Sequence, residues 1–75
     1  MSRYAELQRW LVRIGIRRHI VESKRMREAL TTLRCSSVRE LRELLWAELD
    51  DGLCAPLQLS PTQRTLLRAQ WPTSR

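Results

Sequence analysis

The stretch SPTQRTLLRAQWP, residues 60–72, carries the clearest helix signal in the sequence. The Ser60 hydroxyl is placed to cap the free backbone N–H groups of a first turn, and Gln63 completes a capping box. Pro61 suits the first helical position, because its fixed φ matches a helix and the N–H that it lacks would have no partner there. We therefore predict a final helix that starts after Ser60 and that Pro72 ends.

Two upstream segments share this helical periodicity. Apolar side chains recur every three or four positions over residues 3–14, and Gly15 suits the left-handed residue that ends such a helix. A second pattern covers roughly residues 18–34, where Ser23 is suited to cap a new start because serine disfavours helix interiors. The pattern fits either one helix over this range or a turn followed by a helix.

The segments between these helices and the final one are shorter. Ser37 and Glu40 form the two halves of a second capping box, and apolar residues follow at helical spacing. Residues 46–52 predict a short helix, or a continuation of the one before it, that Gly52 ends in a left-handed conformation. Residues 53–59 are apolar but have no regular period, so we expect an irregular segment packed on the core.

The chain as a whole predicts an all-α fold, a small bundle of four or five helices, because no segment alternates with the period of two typical of strands. With 75 residues we expect a single domain over residues 1–75, with its core at about 4–71. No apolar run reaches the length of a membrane span, and the first residues lack the apolar stretch of a signal peptide. We expect a cytoplasmic protein, with a nuclear location as the alternative.

Little in the sequence has the chemistry of a catalytic or metal site. His19 is the single histidine, and one histidine with two distant cysteines does not supply the four ligands of a zinc site. Cys35 and Cys54 fit two reduced, buried thiols, with a single disulfide as the alternative. Trp71 is the tryptophan expected to be partly exposed at an interface. We predict a protein that is not an enzyme, with no metal, no cofactor and no small-molecule substrate.

Four stretches together resemble a known family. Residues 10–16 (WLVRIGI) are similar to the opening of sterile alpha motif (SAM) domains, and residues 38–44 (VRELREL) to their central helix. Residues 48–53 (ELDDGL) resemble the short acidic segment that follows, and residues 59–69 (LSPTQRTLLRA) the final helix. The similarity spans about residues 5–71 and lies in order and spacing more than in any one motif.

The resemblance implies a SAM-like five-helix bundle that mediates protein–protein association, with itself or with another SAM-like domain. Many SAM domains join head to tail, through a mid-loop surface of the central helices and an end-helix surface at the start of the last helix. The mid-loop surface would here contain Glu43, Glu48, Asp50 and Asp51. The end-helix surface would contain Thr62, Gln63, Arg64 and Arg68.

The distribution of charge agrees with that assignment. Residues 35–52 have a net charge of −3, whereas residues 53–75 have +3. Arg64 and Arg68 are four residues apart and so share a helix face. Two complementary surfaces on separate sides of one molecule give a heterologous contact, which builds rings or filaments. The alternative is that both are ordinary solvated helix faces.

A second hypothesis is nucleic-acid binding, to an RNA hairpin or to DNA. Residues 1–34 contain nine basic and three acidic residues, a net charge of +6. Such a basic field attracts phosphates, although a solvated basic face and contact with anionic lipid are the alternatives. A helix-turn-helix domain is the alternative fold for this class. The candidate contacts are Arg13, Arg17, Arg18, Lys24 and Arg25, with Arg9 and Arg27 in the same field.

Overall fold

The computed structural model describes residues 3–71, and within them the chain forms helices and turns and no strand, as predicted. The three longest helices have ten, ten and eight residues, and every other helical segment has five or fewer. In chain order the elements are α1 (Ala5–Ile14), α2 (Arg18–Val21), α3 (Lys24–Leu33), α4 (Val38–Arg42), α5 (Trp46–Leu49), a π-helical segment (Asp50–Cys54), α6 (Ala55–Leu57) and α7 (Pro61–Arg68). The small all-α bundle expected from the helical periodicity is confirmed.

Local signals set most of the helix ends. Gly15 ends α1 in a left-handed conformation with φ of 115°, as predicted. A Cβ atom on Gly15 would lie 2.8 Å from Cδ1 of Leu66, so the glycine also lets α7 approach the end of α1. The Ser23 hydroxyl accepts the Met26 N–H at 3.2 Å and caps α3. The range 18–34 is therefore a short helix followed by a longer one.

The capping box at Ser60 is complete, whereas in the one at Ser37 only the serine half forms as predicted. Ser60 Oγ accepts the Gln63 N–H and Gln63 Oε1 accepts the Ser60 N–H, each at 3.3 Å. Ser37 Oγ accepts the Glu40 N–H at 3.1 Å, but the Glu40 carboxylate binds the backbone N–H of Ser36 instead of Ser37. Those hydrogen bonds hold the pKa of Glu40 below its ordinary value.

The chain between α5 and α7 differs from the prediction. Gly52 is not left-handed and ends no helix; it lies within the π-helical segment. A Cβ atom there would come within 2.6 Å of Cδ2 of Leu33, so the glycine permits close packing of this segment on α3. Residues 53–59, expected to be irregular, are helical as far as Leu57, and Gln58 turns the chain in a left-handed conformation with φ of 53°.

The C-terminal end of the final helix also departs from the prediction. The helix α7 ends at Arg68 and a turn follows it, while Pro72 lies outside the described residues. Trp71 is not partly exposed as expected but buried, because the turn folds it back onto the core. Its Nε1 donates to the Leu44 carbonyl at 3.0 Å, and its ring packs edge-on against Trp10 and Trp46. This contact joins α1, the α4–α5 connection and the chain after α7.

The core lies between α1 on one side and the run from α3 to α7 on the other. Helix α1 packs against α2, α4 and α7, and α3 packs against the π-helical segment and α6. Cys35 and Cys54 are buried and free, and burial raises the pKa of the Cys54 thiol to about 11. No helix within residues 3–71 is long and apolar enough to cross a membrane.

Candidate functional site

Asp50 and Arg64, assigned to two separate docking surfaces, form an ion pair with each other. The distance from Arg64 Nη1 to Asp50 Oδ1 is 3.1 Å, and both side chains are about a third exposed, at 39% and 35%. Arg64 Nε also donates to the Leu59 carbonyl at 3.3 Å. The left-handed turn at Gln58 brings the first turn of α7 beside the π-helical segment. The expectation that these two charges lie on separate sides of the molecule is therefore wrong.

The other members of the expected mid-loop surface are exposed but differ in their contacts. Glu48 accepts the backbone N–H of Leu45 at 3.1 Å and caps α5. Glu43 lies 3.9 Å from Arg39, with both side chains well exposed, which makes a weak ion pair. Asp51 has no hydrogen bond or ion pair within residues 3–71. It is the one carboxylate of this group that is free of internal contacts there.

Most residues of the expected end-helix surface make contacts within the protein. Gln63 is buried, with 7% of its surface exposed, because both its backbone and its side chain serve the cap of α7. Gln63 therefore has little surface to offer a partner. The Arg68 guanidinium lies 5.4 Å from the centroid of the Trp46 ring and donates to the Trp71 carbonyl. Thr62 is exposed. With Arg64 paired to Asp50, few groups of this surface are left to meet a partner.

Unlike Asp50 and Arg64, the basic residues of the first half of the chain form no ion pair with the described residues. All nine Lys and Arg side chains of residues 3–34, here called the basic surface, are exposed. Arg27 donates to the Glu22 carbonyl and Arg3 lies over the Tyr4 ring. Arg9, Arg13, Arg17, Arg18, Lys24, Arg25 and Arg34 have no side-chain hydrogen bond to the described residues.

A groove between α1 and α2 collects part of this charge. Arg9 and Arg13 are four residues apart on α1 and share a face, and Arg18 at the start of α2 lines the same groove. Its volume is about 450 Å³. The remaining lining residues are Ala5, Gln8, Val12, Val21 and Glu22, so that one carboxylate faces three guanidinium groups. The α1–α2 groove thus places three guanidinium groups around an apolar floor.

The structure brings only some of the predicted nucleic-acid contacts together. Arg13 and Arg18 meet at the α1–α2 groove, and Arg17 precedes α2 on the exposed surface. Lys24 and Arg25 lie on α3, where they line two other depressions, Arg25 in company with Asp51. The predicted set therefore divides into a cluster at α1–α2 and separate charges on α3.

Sequence reasoning missed the floor of the groove. Ala5 and Val12 both lie on α1, and only the packing of α2 beside them makes them line a groove, with the fully buried Val21 beneath its surface. Gln8 was missed as well; its Nε2 donates to the Val21 carbonyl at 3.3 Å and ties α1 to α2. The available signal was Val12 itself, an apolar residue between two arginines and outside the main stripe of α1.

Two other features bear on function. Leu45 is the most exposed large apolar side chain of the described residues, at 64%, and Leu66 follows at 39%. His19 is exposed on α2, and residues 3–71 contain no group of three or more histidines, cysteines and carboxylates placed to hold a metal ion.

No protein-family model, no curated protein and no solved structure matches this chain. Its fold and its surface define a class of protein nonetheless. It is a small helical bundle in which the basic side chains of residues 3–34 form no ion pair with the described residues.

Proposed function

We propose that this protein is a nucleic-acid-binding module and that the arginines of α1 and α2 bind its phosphates. The observation that carries the proposal is the absence of ion pairs for the basic surface within residues 3–71, where the charges of the second half are largely paired or hydrogen-bonded. Uncompensated positive charge raises the local concentration of an anionic partner and speeds its association.

The kind of charge favours nucleic acid over other anionic partners. Eight of the nine basic residues of the basic surface are arginines, whose planar guanidinium binds phosphate through two hydrogen bonds and stacks on bases. An amphipathic helix that inserts into a membrane surface has large exposed apolar side chains beside its basic face. Leu45 and Leu66, the large apolar side chains that are exposed, both lie outside residues 3–34.

The proposal makes a quantitative statement about salt. A protein that neutralises phosphates releases condensed counterions, so the logarithm of its affinity falls linearly with the logarithm of the salt concentration. Contacts from Arg9, Arg13 and Arg18 would give a slope of about −2 to −3. Each contact removed should bring the slope about one unit closer to zero.

Fluorescence anisotropy titrations of a labelled RNA hairpin and a labelled DNA duplex, at salt from about 50 to 200 mM, test the proposal. Arg13→Gln with Arg18→Gln removes two charges from the groove, and Arg39→Gln with Arg42→Gln removes two exposed charges from α4. We expect the first pair to weaken binding about tenfold and the second about twofold at low salt. Equal losses would show a response to net charge alone, and no binding at about 50 mM salt would overturn the proposal.

A second candidate, pairing with another copy or with a SAM-like domain, is favoured by one observation. Leu45 is 64% exposed and lies close in sequence to Glu43 and Glu48, which are exposed as well. An apolar side chain within an acidic rim resembles the centre of a protein interface. The resemblance to SAM domains supports this candidate. Asp50 and Arg64 play no part in it, because each already binds the other.

Sedimentation velocity over a range of protein concentrations separates the two candidates. Pairing predicts a concentration-dependent shift that Leu45→Gln abolishes, whereas Leu66→Gln, the matched change on the other exposed leucine, leaves it unchanged. A monomer throughout the range removes the second candidate and leaves the first untouched.

A further inference from the structure

We propose that the α1–α2 groove holds one unpaired nucleotide of a single-stranded nucleic acid, with the base on the apolar floor and the phosphates on the arginines. This inference rests on the proposed function and narrows it to a class of ligand and a place on the molecule. The volume of the groove, about 450 Å³, falls within the range of about 300 to 1,000 Å³ of small-molecule sites.

The positive charge of the groove indicates that one part of the ligand is an anion. Arg9, Arg13 and Arg18 face the groove with no ion pair within residues 3–71, although Glu22 lines it too. Like charges four residues apart on a helix destabilise it, so the helix alone gives no reason for the Arg9 and Arg13 pair. An anion placed among the three guanidinium groups relieves this repulsion and makes bidentate hydrogen bonds. The phosphodiester backbone supplies such anions at regular intervals.

The apolar floor of the groove indicates that the other part of the ligand is a flat, apolar ring. Ala5 and Val12, both partly exposed, give the groove an apolar surface that a phosphate ion would leave uncovered, and the fully buried Val21 lies beneath it. A nucleobase covers such a floor with its flat face, and a neighbouring guanidinium is able to stack on the opposite face. A ligand with one apolar ring and an attached anion therefore fits the groove better than either group alone.

Gln8 adds a polar contact of fixed orientation. Its Nε2 donates to the Val21 carbonyl at 3.3 Å, which holds the amide in place at the groove. That bond leaves Oε1 as an acceptor for an exocyclic amine or a ring N–H of a base. A polar contact of this kind in a mostly apolar site fixes the orientation of a ligand.

The same geometry argues against a duplex at this site. In a duplex the flat faces of the bases are stacked on one another and do not reach an apolar floor. An unpaired base is free to turn out of the strand and lie with its flat face on the floor of the groove. The groove therefore predicts a preference for single strands over duplexes with the same number of phosphates.

The test compares a labelled octauridylate with a G·C-rich duplex of eight base pairs at equal concentration of phosphate groups, in anisotropy titrations of the whole chain. Ala5→Trp fills the groove without changing charge, and Ala47→Trp makes the same change on the exposed face of α5. We expect the unaltered protein to prefer octauridylate by about tenfold, and Ala5→Trp to remove that preference while its duplex affinity stays within about twofold. Ala47→Trp should bind both probes like the unaltered protein.

A second, nearly isosteric variant guards against a folding defect. Val12→Thr places a hydroxyl on the floor with little change in size, and circular dichroism verifies that each variant is helical. It should weaken octauridylate binding about threefold and leave duplex binding unchanged. A folded Val12→Thr and a folded Ala5→Trp that both bind octauridylate normally overturn the inference.

The remaining outcomes separate this inference from the proposed function. Equal binding of octauridylate and duplex overturns the groove as a nucleotide site and leaves nucleic-acid binding in place. Binding of neither probe at about 50 mM salt overturns both. Displacement of octauridylate by poly-L-glutamate at equal charge concentration would assign the basic surface to an acidic protein and would also overturn both.

Discussion

The two halves of this molecule use charge in opposite ways. In residues 35–71 the charged groups hold the chain together: Asp50 binds Arg64, Glu48 caps α5, and Glu40 binds the N–H of Ser36. In residues 3–34 the basic side chains are exposed and have no ion pair within the described chain. The comparison teaches that similar side chains stabilise the fold in one half and are left available for a partner in the other.

Helix length gives the physical reason for the difference. A short helix leaves most of its backbone N–H and C=O groups without partners, because the first four N–H groups and the last four C=O groups of any helix lie outside the helical ladder. The helices α4, α5 and α6 have five, four and three residues, whereas α1 and α3 have ten each. The short helices of the second half therefore draw charged side chains into caps and clamps, whereas in the first half the uncharged Ser23 and Gln8 serve as cap and clamp.

The largest effect that sharpens this comparison is expected at Trp71. Trp71→Ala removes a buried ring that packs on Trp10 and Trp46, and it should lower the free energy of unfolding by about 3 to 5 kcal/mol. Trp71→Phe keeps most of the packing and loses only the hydrogen bond to Leu44, at about 1 to 2 kcal/mol. Urea denaturation followed by circular dichroism measures both. A loss below about 1 kcal/mol for Trp71→Ala would contradict the role given to this contact.

A smaller but more specific effect is expected at the ion pair. Arg64→Glu places a carboxylate beside Asp50 and should lower the free energy of unfolding by about 1 kcal/mol. The effect is small because both native side chains are more than a third exposed, so that water screens their charges. Adding Asp50→Arg reverses the pair and should restore most of the loss. Arg18→Glu is the matched change in the first half, and it should leave the free energy of unfolding unchanged. Equal losses for Arg64→Glu and Arg18→Glu would break the comparison.

Alkaline pH should weaken the second half through a buried thiol. Burial, with a further contribution from Asp50, raises the pKa of Cys54 from 9.0 to about 11. Because the folded pKa exceeds the unfolded value, the stabilisation is complete below pH 9 and is lost as pH rises from 9.0 toward about 11. Cys54→Ser does not titrate in this window, so its melting temperature should fall less steeply. Parallel slopes for the two proteins between pH 8 and 11 would refute the assignment.

The smallest effect is expected for charge removal in the first half. Arg9→Gln with Arg13→Gln relieves repulsion on one face of α1, so the free energy of unfolding should stay the same or rise by about 0.2 to 0.5 kcal/mol. Thermal denaturation in low salt measures the difference. Added salt should reduce it by screening the same repulsion. A loss of stability would mean that these arginines have structural contacts after all.

Much of the fold follows from local sequence signals. Ser23 and Ser60 cap helices, and Gly15 ends one in a left-handed conformation, because each of these features depends on residues within one or two turns. Gly52 shows where local reasoning stops. A glycine after a helix fits a left-handed stop equally well, and only its contact with Leu33, 19 positions earlier in the chain, explains it.

The site was less predictable than the fold. That residues 1–34 are strongly basic follows from composition, and Arg13 and Arg18 were among the predicted contacts. The pairing of Asp50 with Arg64 joins residues 14 apart through the turn at Gln58, so separate acidic and basic surfaces looked equally consistent with the sequence. Charge counts along a chain do not reveal which charges neutralise one another in the fold.

One measurement tests the contrast between the two halves directly. Amide chemical shifts of the ¹⁵N-labelled protein, followed by NMR during a titration with octauridylate at low salt, locate the bound ligand residue by residue. If the first half binds the ligand and the second half only stabilises the fold, the shifts change over α1 and α2, around Arg9, Arg13 and Arg18, and stay constant from α4 to α7. Changes centred on the segment around Asp50 and on the start of α7 would contradict this division of roles.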